Sequence, residues 1–110
     1  PLGRAELKRE GDHATIVTWG KMALVAQQAA DQLAKEGIRV EVVDLRTVRP
    51  MDTEAVYASV RKTNRCVVVE EGWPHSGVGA QVADSVQRDC FDHLDAPVLR
   101  VHQADVPMPY

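Results

Sequence analysis

The feature that most constrains the fold is a repeated change of hydrophobic period along the chain. Short runs rich in β-branched residues alternate with longer segments whose apolar residues recur at helical spacing. The runs cover residues 14–19, 38–45, 66–69 and 98–101. Strands that alternate with helices predict an α/β domain with a mostly parallel, doubly wound sheet and helices on both faces, a three-layer αβα arrangement.

Local signals predict where the first helix begins and ends. Gly20 separates the first strand from a helix-periodic segment, and Gly37 is placed to take the left-handed conformation that follows a helix. The apolar residues expected on the buried face of this helix are Met22, Val25, Ala26, Ala29 and Leu33. Strand, helix and next strand together predict a βαβ unit.

The second and third helices carry comparable signals. Asp52 is expected to cap the second helix, which should end near residues 62–64, and Met51 is expected to pack on Val56 as a hydrophobic staple. The third helix is expected after Gly79. The residues that it should place on one side are Val82, Val86 and Cys90.

The length of 110 residues, 45% of them hydrophobic, suits one domain with one core. Residues 13–104 are expected to form that domain, and residues 1–12 to be a linker or to add an edge strand near 5–8. Residues 105–110 contain two prolines, which predict an extended segment. The first residues lack an initiator Met and a signal-peptide pattern, so the chain is interpreted as part of a longer polypeptide.

Composition excludes several classes of protein. Thirteen Lys and Arg against sixteen Asp and Glu give a net charge of −3, and the basic residues are scattered, so nucleic-acid binding is not favoured. No apolar run is long enough to span a membrane. Cys66 and Cys90 fall inside a predicted strand and a predicted helix, where thiols act as small buried hydrophobes, which favours a reducing compartment.

Residues 70–80 form a glycine-rich loop after a buried strand, where parallel sheets commonly place ligands. A dinucleotide fingerprint fails because Val82 stands where the third glycine belongs. A phosphate loop fails because Val78 replaces its lysine, and a nucleophile elbow at Ser76 fails because Pro74 replaces its first glycine. The loop is therefore not predicted to be catalytic.

The candidate metal and acid–base sites are also incomplete. Cys90 and His93 form a pair with metal-ligand spacing, but no second pair matches it. Glu70 and Glu71 point to opposite faces if the strand continues that far, so one should cap a helix or meet an arginine and the other face solvent or a partner. Arg46, Arg49 and Asp52 around Pro50 are compatible with a phosphate site, but turn and cap chemistry explains them without a ligand. No complete active site is predicted.

Five stretches, taken together, carry a family resemblance. They are residues 15–20 (TIVTWG), 43–52 (VDLRTVRPMD), 69–73 (VEEGW), 91–97 (FDHLDAP) and 105–110 (DVPMPY). In this order they resemble the C-terminal domain of the beta subunit of thiamin-diphosphate-dependent 2-oxoacid dehydrogenases, most closely those for pyruvate. The resemblance covers essentially the whole chain and implies a fold of the transketolase C-terminal type.

The resemblance implies an assembly role. In this family thiamin diphosphate and magnesium lie between the alpha subunit and the preceding domain of the beta subunit. This stretch is thus expected to hold no catalytic, cofactor-binding or metal-binding residue and to be inactive alone. The parent oxidoreductase would decarboxylate the 2-oxoacid and acylate lipoyl groups, in the bacterial cytoplasm or the mitochondrial matrix. Its expected partners are an alpha subunit, a second beta subunit and dihydrolipoyl acyltransferase, and the family continues past Tyr110.

Contacts with other subunits are expected from two segments. A tryptophan beside a proline in a loop is costly to leave exposed and suits an interface. The candidates are Glu71, Trp73, Pro74, His75, Val106, Met108 and Tyr110. Two alternatives stay open: a small-molecule or regulatory module that uses the crevice between Gly72 and Gly79, and the equivalent domain of a branched-chain oxoacid dehydrogenase or a transketolase-like enzyme.

Overall fold

A computed structural model describes residues 4–46, 52–70 and 77–102. Within these ranges the chain forms five strands and three α-helices. The elements are β1 (Glu6–Arg9), β2 (Ala14–Thr18), α1 (Met22–Lys35), β3 (Val40–Asp44), α2 (Thr53–Thr63), β4 (Cys66–Glu70), α3 (Val78–Asp89) and β5 (Leu99–His102), with a short 3-10 helix at Phe91–His93. The predicted succession of strands and helices is confirmed, with ends that shift by one or two residues.

The five strands form one sheet in the order β1-β3-β2-β4-β5. The strands β2, β3, β4 and β5 pair in parallel, and β1 pairs antiparallel with β3. A bulge between Leu7 and Arg9 interrupts the β1 ladder. The mostly parallel sheet is as predicted, and the edge strand expected near residues 5–8 is present one residue later.

Helices cover both faces of the sheet. On one face α2 and α3 pack over a core of Val17, Val43, Leu45, Val56, Val60, Cys66, Val68, Val82, Val86 and Cys90. On the other face α1 packs over Ile16, Val40 and Val42 through Ala26 and Ala30. The αβα layering is therefore confirmed, and so is the predicted buried side of α3.

The buried face of α1 is rotated from the predicted one. The helix buries Met22, Ala23, Ala26 and Ala30. Val25 is 45% exposed and Ala29 is exposed, so these two predictions were wrong. Both stripes have helical spacing, and the smaller alanine side chains let the helix lie close to the sheet, which the spacing of apolar residues alone does not reveal.

The end of α1 follows the predicted glycine chemistry. Gly37 takes a φ of +82°. Its N–H donates to the Ala34 carbonyl at 3.0 Å, and the Ile38 N–H donates to the Leu33 carbonyl at 2.9 Å. These two bonds form a Schellman motif, which ends the helix and turns the chain toward β3.

The start of α2 confirms Asp52 as the cap. Its Oδ1 accepts a hydrogen bond from the Ala55 N–H at 3.1 Å, and its Oδ2 accepts one from the Ala5 N–H at 2.9 Å. The helix ends as predicted, with Asn64 in the left-handed conformation. Met51, the other half of the predicted staple, lies outside the described residues. Asp52 thus ties the N-terminal segment to the first turn of α2.

A buried carboxylate lies between β3 and α2. Glu41 is 3% exposed, and its Oε1 lies 2.5 Å from Lys62 Nζ and 3.1 Å from the Gly11 nitrogen. Burial raises the pKa of Glu41, but hydrogen bonds from Lys62, Ser59 and the Gly11 N–H lower it by more, so the pKa lies below its usual value. Glu41 is therefore ionised and held by its neighbours.

The two thiols are buried, as predicted, and both cysteines are free. Burial, with a smaller contribution from Cys90, raises the pKa of Cys66 to about 12. Burial also raises the pKa of Cys90. His93, nearby in sequence, is exposed. Because the thiolate is the reactive form, both thiols should be inert at neutral pH.

We expect the native protein to react with a thiol-specific reagent such as DTNB far more slowly than the unfolded chain. Denaturant should release two reactive thiols for each chain, which absorbance measures directly. The variant Leu24→Cys is a suitable positive control because Leu24 is 63% exposed on α1. Complete labelling of both native cysteines within minutes would contradict the packing described above.

Candidate functional site at the carboxyl edge of the sheet

Four parallel strands end at the same edge of the sheet, which we call the carboxyl edge. β2 ends at Thr18, β3 at Asp44, β4 at Glu70 and β5 at His102. In open α/β sheets this edge is where ligands and partners usually bind. The seven contact candidates follow β4 or β5 in the sequence, and all of them lie outside the described residues. They are Glu71, Trp73, Pro74, His75, Val106, Met108 and Tyr110.

The last residue of β4 is a buried acid with an arginine partner. Glu70 is 4% exposed, and its neighbour on the same face is Arg100 of β5. Arg100 Nε and Nη2 donate to Glu70 Oε2 at 3.2 and 2.9 Å. Charge-assisted bonds of this kind are stronger than neutral ones. An arginine partner was one of the alternatives expected for the acidic pair, and it is confirmed for Glu70.

The same carboxylate lies against the first turn of α3. Gly77 precedes the helix with a φ of +80°, and the helix begins at Val78, two residues earlier than the start expected after Gly79. A Cβ added at Gly79 would overlap both oxygens of the Glu70 carboxylate. Glycine at this position therefore leaves space for the Glu70 carboxylate, which a larger residue would displace from Arg100.

This contact accounts for the glycine at position 79 without a ligand. A helix N-terminus favours a negative charge because of its unpaired N–H groups and its dipole. At α3 the chain supplies that charge itself, through Glu70. The close approach that glycine permits in phosphate-binding loops is here made by a carboxylate of the same chain, which agrees with the failure of the phosphate motifs.

Other polar groups at this edge also bond within the chain. Thr18 Oγ1 donates to the Val69 carbonyl at 3.0 Å, which bridges β2 and β4. Asp44 Oδ1 accepts from the Arg46 N–H at 2.9 Å, and Arg46 has a φ of 55°. The turn and cap chemistry expected of residues 46–52 is confirmed for Arg46 and Asp52. Arg49 lies outside the described residues.

A groove of about 680 Å³ runs between α3 and β5. It is lined by Gly77, Ala80, Gln81, Ala83, Asp84, Gln87, Val98 and Arg100. Gln87 Oε1 accepts a hydrogen bond from the Val98 N–H, and Arg100 is bound to Glu70. Asp84 lies 3.6 Å from Arg88. Two of the polar groups that line the groove, Gln87 Oε1 and the Arg100 guanidinium, are thus engaged by the protein.

The described part of this edge does not fit a diphosphate and its metal ion. The buried carboxylate of Glu70 would repel phosphate, and the guanidinium of Arg100 already serves Glu70. Across residues 4–46, 52–70 and 77–102 no three His, Cys, Asp or Glu side chains come together as a metal site. In the same ranges no helix is long and apolar enough to cross a membrane.

Two pairings were not predicted from the sequence, Glu70 with Arg100 and Glu41 with Lys62. Each depends on the register between elements that are far apart in the chain. A signal for the first was present: an acid at the end of a buried strand and an arginine on the neighbouring parallel strand share a face if the register matches. The register between β4 and β5 is seen in the structure and could not be read from the sequence.

A family model described as the transketolase C-terminal domain matches residues 3–110. The rice mitochondrial pyruvate dehydrogenase E1 component subunit beta-1 is 54% identical over all of this chain and 29% of the rice protein. The corresponding beta subunit of Rickettsia conorii is 49% identical over all of this chain and 34% of that protein. This chain thus spans far less than two thirds of either relative.

Two solved structures have a similar fold. A split gene transketolase, described as an inactive β4 tetramer, gives a TM-score of 0.80 at 34% identity, over 93% of this chain and 33% of that one. A 2-oxoglutarate:ferredoxin oxidoreductase from Magnetococcus marinus gives a TM-score of 0.63 at 19% identity, over 90% of this chain and 16% of that one. The second likeness concerns the fold alone.

Proposed function

Because the chain belongs to the transketolase C-terminal domain family, we propose that it is the assembly domain of a pyruvate dehydrogenase beta subunit. Its homology to such beta subunits extends over its full length, as the sequence resemblance predicted. The observation that carries the proposal is the adjacency of β4 and β5. Because they are parallel neighbours, they end side by side at the carboxyl edge, and the contact candidates follow them in the sequence.

The described residues of the carboxyl edge support contact rather than catalysis. Glu70 holds the end of β4 against the start of α3, while Arg100 holds Glu70. Both ends of the loop at 71–76 are thereby fixed to the sheet. The charge of Glu70 is thus already paired and committed to the structure, which favours a contact role for this edge over a catalytic one.

The contact candidates serve this role in the proposal. Glu71, Trp73, Pro74 and His75 follow β4, and Val106, Met108 and Tyr110 follow β5. We assign the two groups to one surface that meets the other subunits. Its proposed partners are an alpha subunit, a second beta subunit and dihydrolipoyl acyltransferase. The β4 tetramer of the split gene transketolase supports the beta–beta contact, because there copies of a related chain associate.

The activity belongs to the parent protein in this proposal. The parent would be an oxidoreductase that decarboxylates pyruvate and acylates lipoyl groups, in the bacterial cytoplasm or the mitochondrial matrix. Thiamin diphosphate with magnesium would supply the carbanion chemistry, held by the alpha subunit and another domain of the beta subunit. Decarboxylation of pyruvate by the purified 110-residue chain with thiamin diphosphate and magnesium would contradict this assignment.

The domain limits are part of the same proposal. We assign residues 13–104 to the domain, 1–12 to an edge segment and 105–110 to an extended segment that continues into the rest of the family's C-terminal part. The pairing of β1 with β3 supports the edge segment.

The variant Trp73→Ala, placed in the parent beta subunit, is expected to weaken assembly with the alpha subunit. Removal of a central aromatic anchor costs about 2 kcal/mol or more, roughly a thirtyfold loss of affinity. Light scattering and sedimentation of the co-expressed subunits measure the assembled fraction. Phe91→Ala is the matched control, because Phe91 is a 67% exposed aromatic at the opposite edge of the sheet. Normal assembly of both variants would refute the proposed contact role of Trp73.

A further inference from the structure

The first strand is held to the rest of the domain mainly by charged groups. We call residues 5–12, which contain β1, the N-terminal strap. The strap pairs with β3 through a short ladder, and the bulge between Leu7 and Arg9 interrupts that ladder. Along its length the strap also makes five contacts in which a carboxylate, or a carboxylate and an arginine, joins it to another element.

Three of these contacts are ion pairs at the surface of the domain. They are Glu6–Arg46, Arg9–Asp31 and Asp12–Arg39, and each of the six side chains is at least 32% exposed. Exposed ion pairs are individually weak, and dissolved salt screens them. At about 1 M salt the screening length falls to about 3 Å, so the attraction within these pairs should largely disappear.

The other two contacts join backbone N–H groups of the strap to less exposed carboxylates. The Ala5 N–H donates to Asp52 Oδ2 at 2.9 Å, and the Gly11 N–H donates to the buried Glu41 Oε1 at 3.1 Å. A Cβ added at Gly11 would lie 2.4 Å from the carbonyl carbon of Val40, so glycine permits this close approach to β3. Salt screens buried groups less than exposed ones. Salt should therefore weaken three of the five contacts and spare these two.

Apolar packing contributes little to the attachment of the strap. Its one large apolar side chain, Leu7, is 47% exposed. A cavity of about 290 Å³ lies between the strap and α2, with Ala5 and Leu7 on one side and Ala55 and Ala58 on the other. Side chains that border unfilled space lose the dispersion attraction of the missing neighbours. The attachment thus depends on the short ladder and on the charged contacts.

We propose that the N-terminal strap is an electrostatic latch, which detaches from β3 as a unit when its ion pairs are screened or neutralised, while the rest of the sheet stays folded. Local opening of this kind is expected where few apolar contacts hold a segment. Detachment would make β3 the edge of the sheet. In the proposed parent subunit it would also add roughly 25–30 Å of reach to the linker before the domain. That last consequence rests on the proposed function, whereas the latch itself does not.

Amide hydrogen exchange of the 110-residue chain, followed by NMR at fixed pH and temperature, tests the latch. The reporters are the amides of Ala5 and Gly11, whose acceptors are known. We expect the equilibrium constant for their opening to rise at least about tenfold between about 0.01 M and 1 M sodium chloride. The amides of Ile16 and Val17 in β2 are the internal reference, and their exchange should not accelerate.

The variant Asp31→Asn tests the latch without added salt. Asp31 is exposed on α1, and the change removes the charge that pairs with Arg9. We expect the strap amides to exchange several times faster at low salt, and their response to added salt to become smaller. Asp84→Asn is the matched control, because Asp84 is an exposed helix residue that pairs with Arg88 of the same helix. It should leave the exchange of the strap amides unchanged.

Other outcomes would overturn the inference. If the strap amides exchange as slowly as those of β2 at every salt concentration, the strap opens only when the whole domain unfolds. Fast exchange that does not respond to salt would indicate a frayed end instead of a latch. Equal acceleration by Asp31→Asn and Asp84→Asn would indicate general destabilisation. None of these results bears on subunit contact, which the Trp73→Ala variant tests separately.

Discussion

Gly79→Ala is expected to destabilise the protein, although alanine normally stabilises a helix relative to glycine. The new Cβ would overlap the carboxylate of Glu70, which must move and leave Arg100. Loss of one partner from a buried ion pair typically costs 3–5 kcal/mol, and because Arg100 is partly exposed we expect about 2 kcal/mol. Urea unfolding followed by circular dichroism measures the change in the free energy of unfolding.

The control for this prediction is Gly79→Ala in a chain that lacks the carboxylate of Glu70. In a Glu70→Ala background the three atoms that the added methyl group would overlap are gone, so Gly79→Ala should become neutral or stabilising by up to about 1 kcal/mol. The destabilisation thus disappears or reverses, and the coupling energy between the two positions is about 2 to 3 kcal/mol, in the upper part of the range for residues in contact. A stabilising Gly79→Ala in the wild-type background would refute the assigned role of Glu70.

Lys62→Met is expected to lower the free energy of unfolding by about 2 kcal/mol at neutral pH. The substitution keeps much of the aliphatic chain but leaves the buried carboxylate of Glu41 without its cation. The cost is below that of a fully buried pair because the Lys62 side chain is 49% exposed. Lys35→Met is the control: Lys35 is exposed at the end of α1, and its replacement should change stability by less than about 0.5 kcal/mol.

The pH dependence of the Lys62 variant has a definite sign. In the wild type the lowered pKa of Glu41 contributes stability above the usual value of 4.5, and that stability is lost as pH falls through the folded-state pKa. In Lys62→Met the hydrogen bond and the charge of Lys62 no longer lower the pKa of Glu41, while burial still raises it. The pKa of Glu41 should therefore be higher than in the wild type. The difference between variant and wild type should therefore shrink as the pH is lowered from 7 toward 4. A difference that stays constant over this range would contradict the role of the ion pair.

Much of the fold was predictable because its signals are local. Gly37 and Asp52 act on backbone groups within a few residues, so their chemistry could be read from the sequence and is confirmed. Alternation of strand and helix periods was sufficient for the layered, mostly parallel sheet. The face of α1 was predicted less well, because the choice between Val25 and Ala23 depends on how closely the helix approaches the sheet.

The candidate site was less predictable because its chemistry depends on register. Glu70 and Arg100 are separated by 30 residues and meet only because β4 and β5 pair in parallel. Glu41 and Lys62 meet because of the position along β3 at which α2 packs on the sheet. The seven contact candidates remain predictions: their role depends on partner surfaces, and the family resemblance, not the local pattern, suggested it.

The antiparallel direction of β1 has a practical consequence for labelling. Glu6 pairs with Asp44, so the chain enters the sheet at the carboxyl edge, where Ala5 bonds to Asp52. A purification tag or fluorophore attached before residue 4 would therefore lie at the same edge as the proposed contact surface, three strands away from β4. An insertion at the turn around Gly37 would report from the far edge, and it is the better position for a probe of assembly.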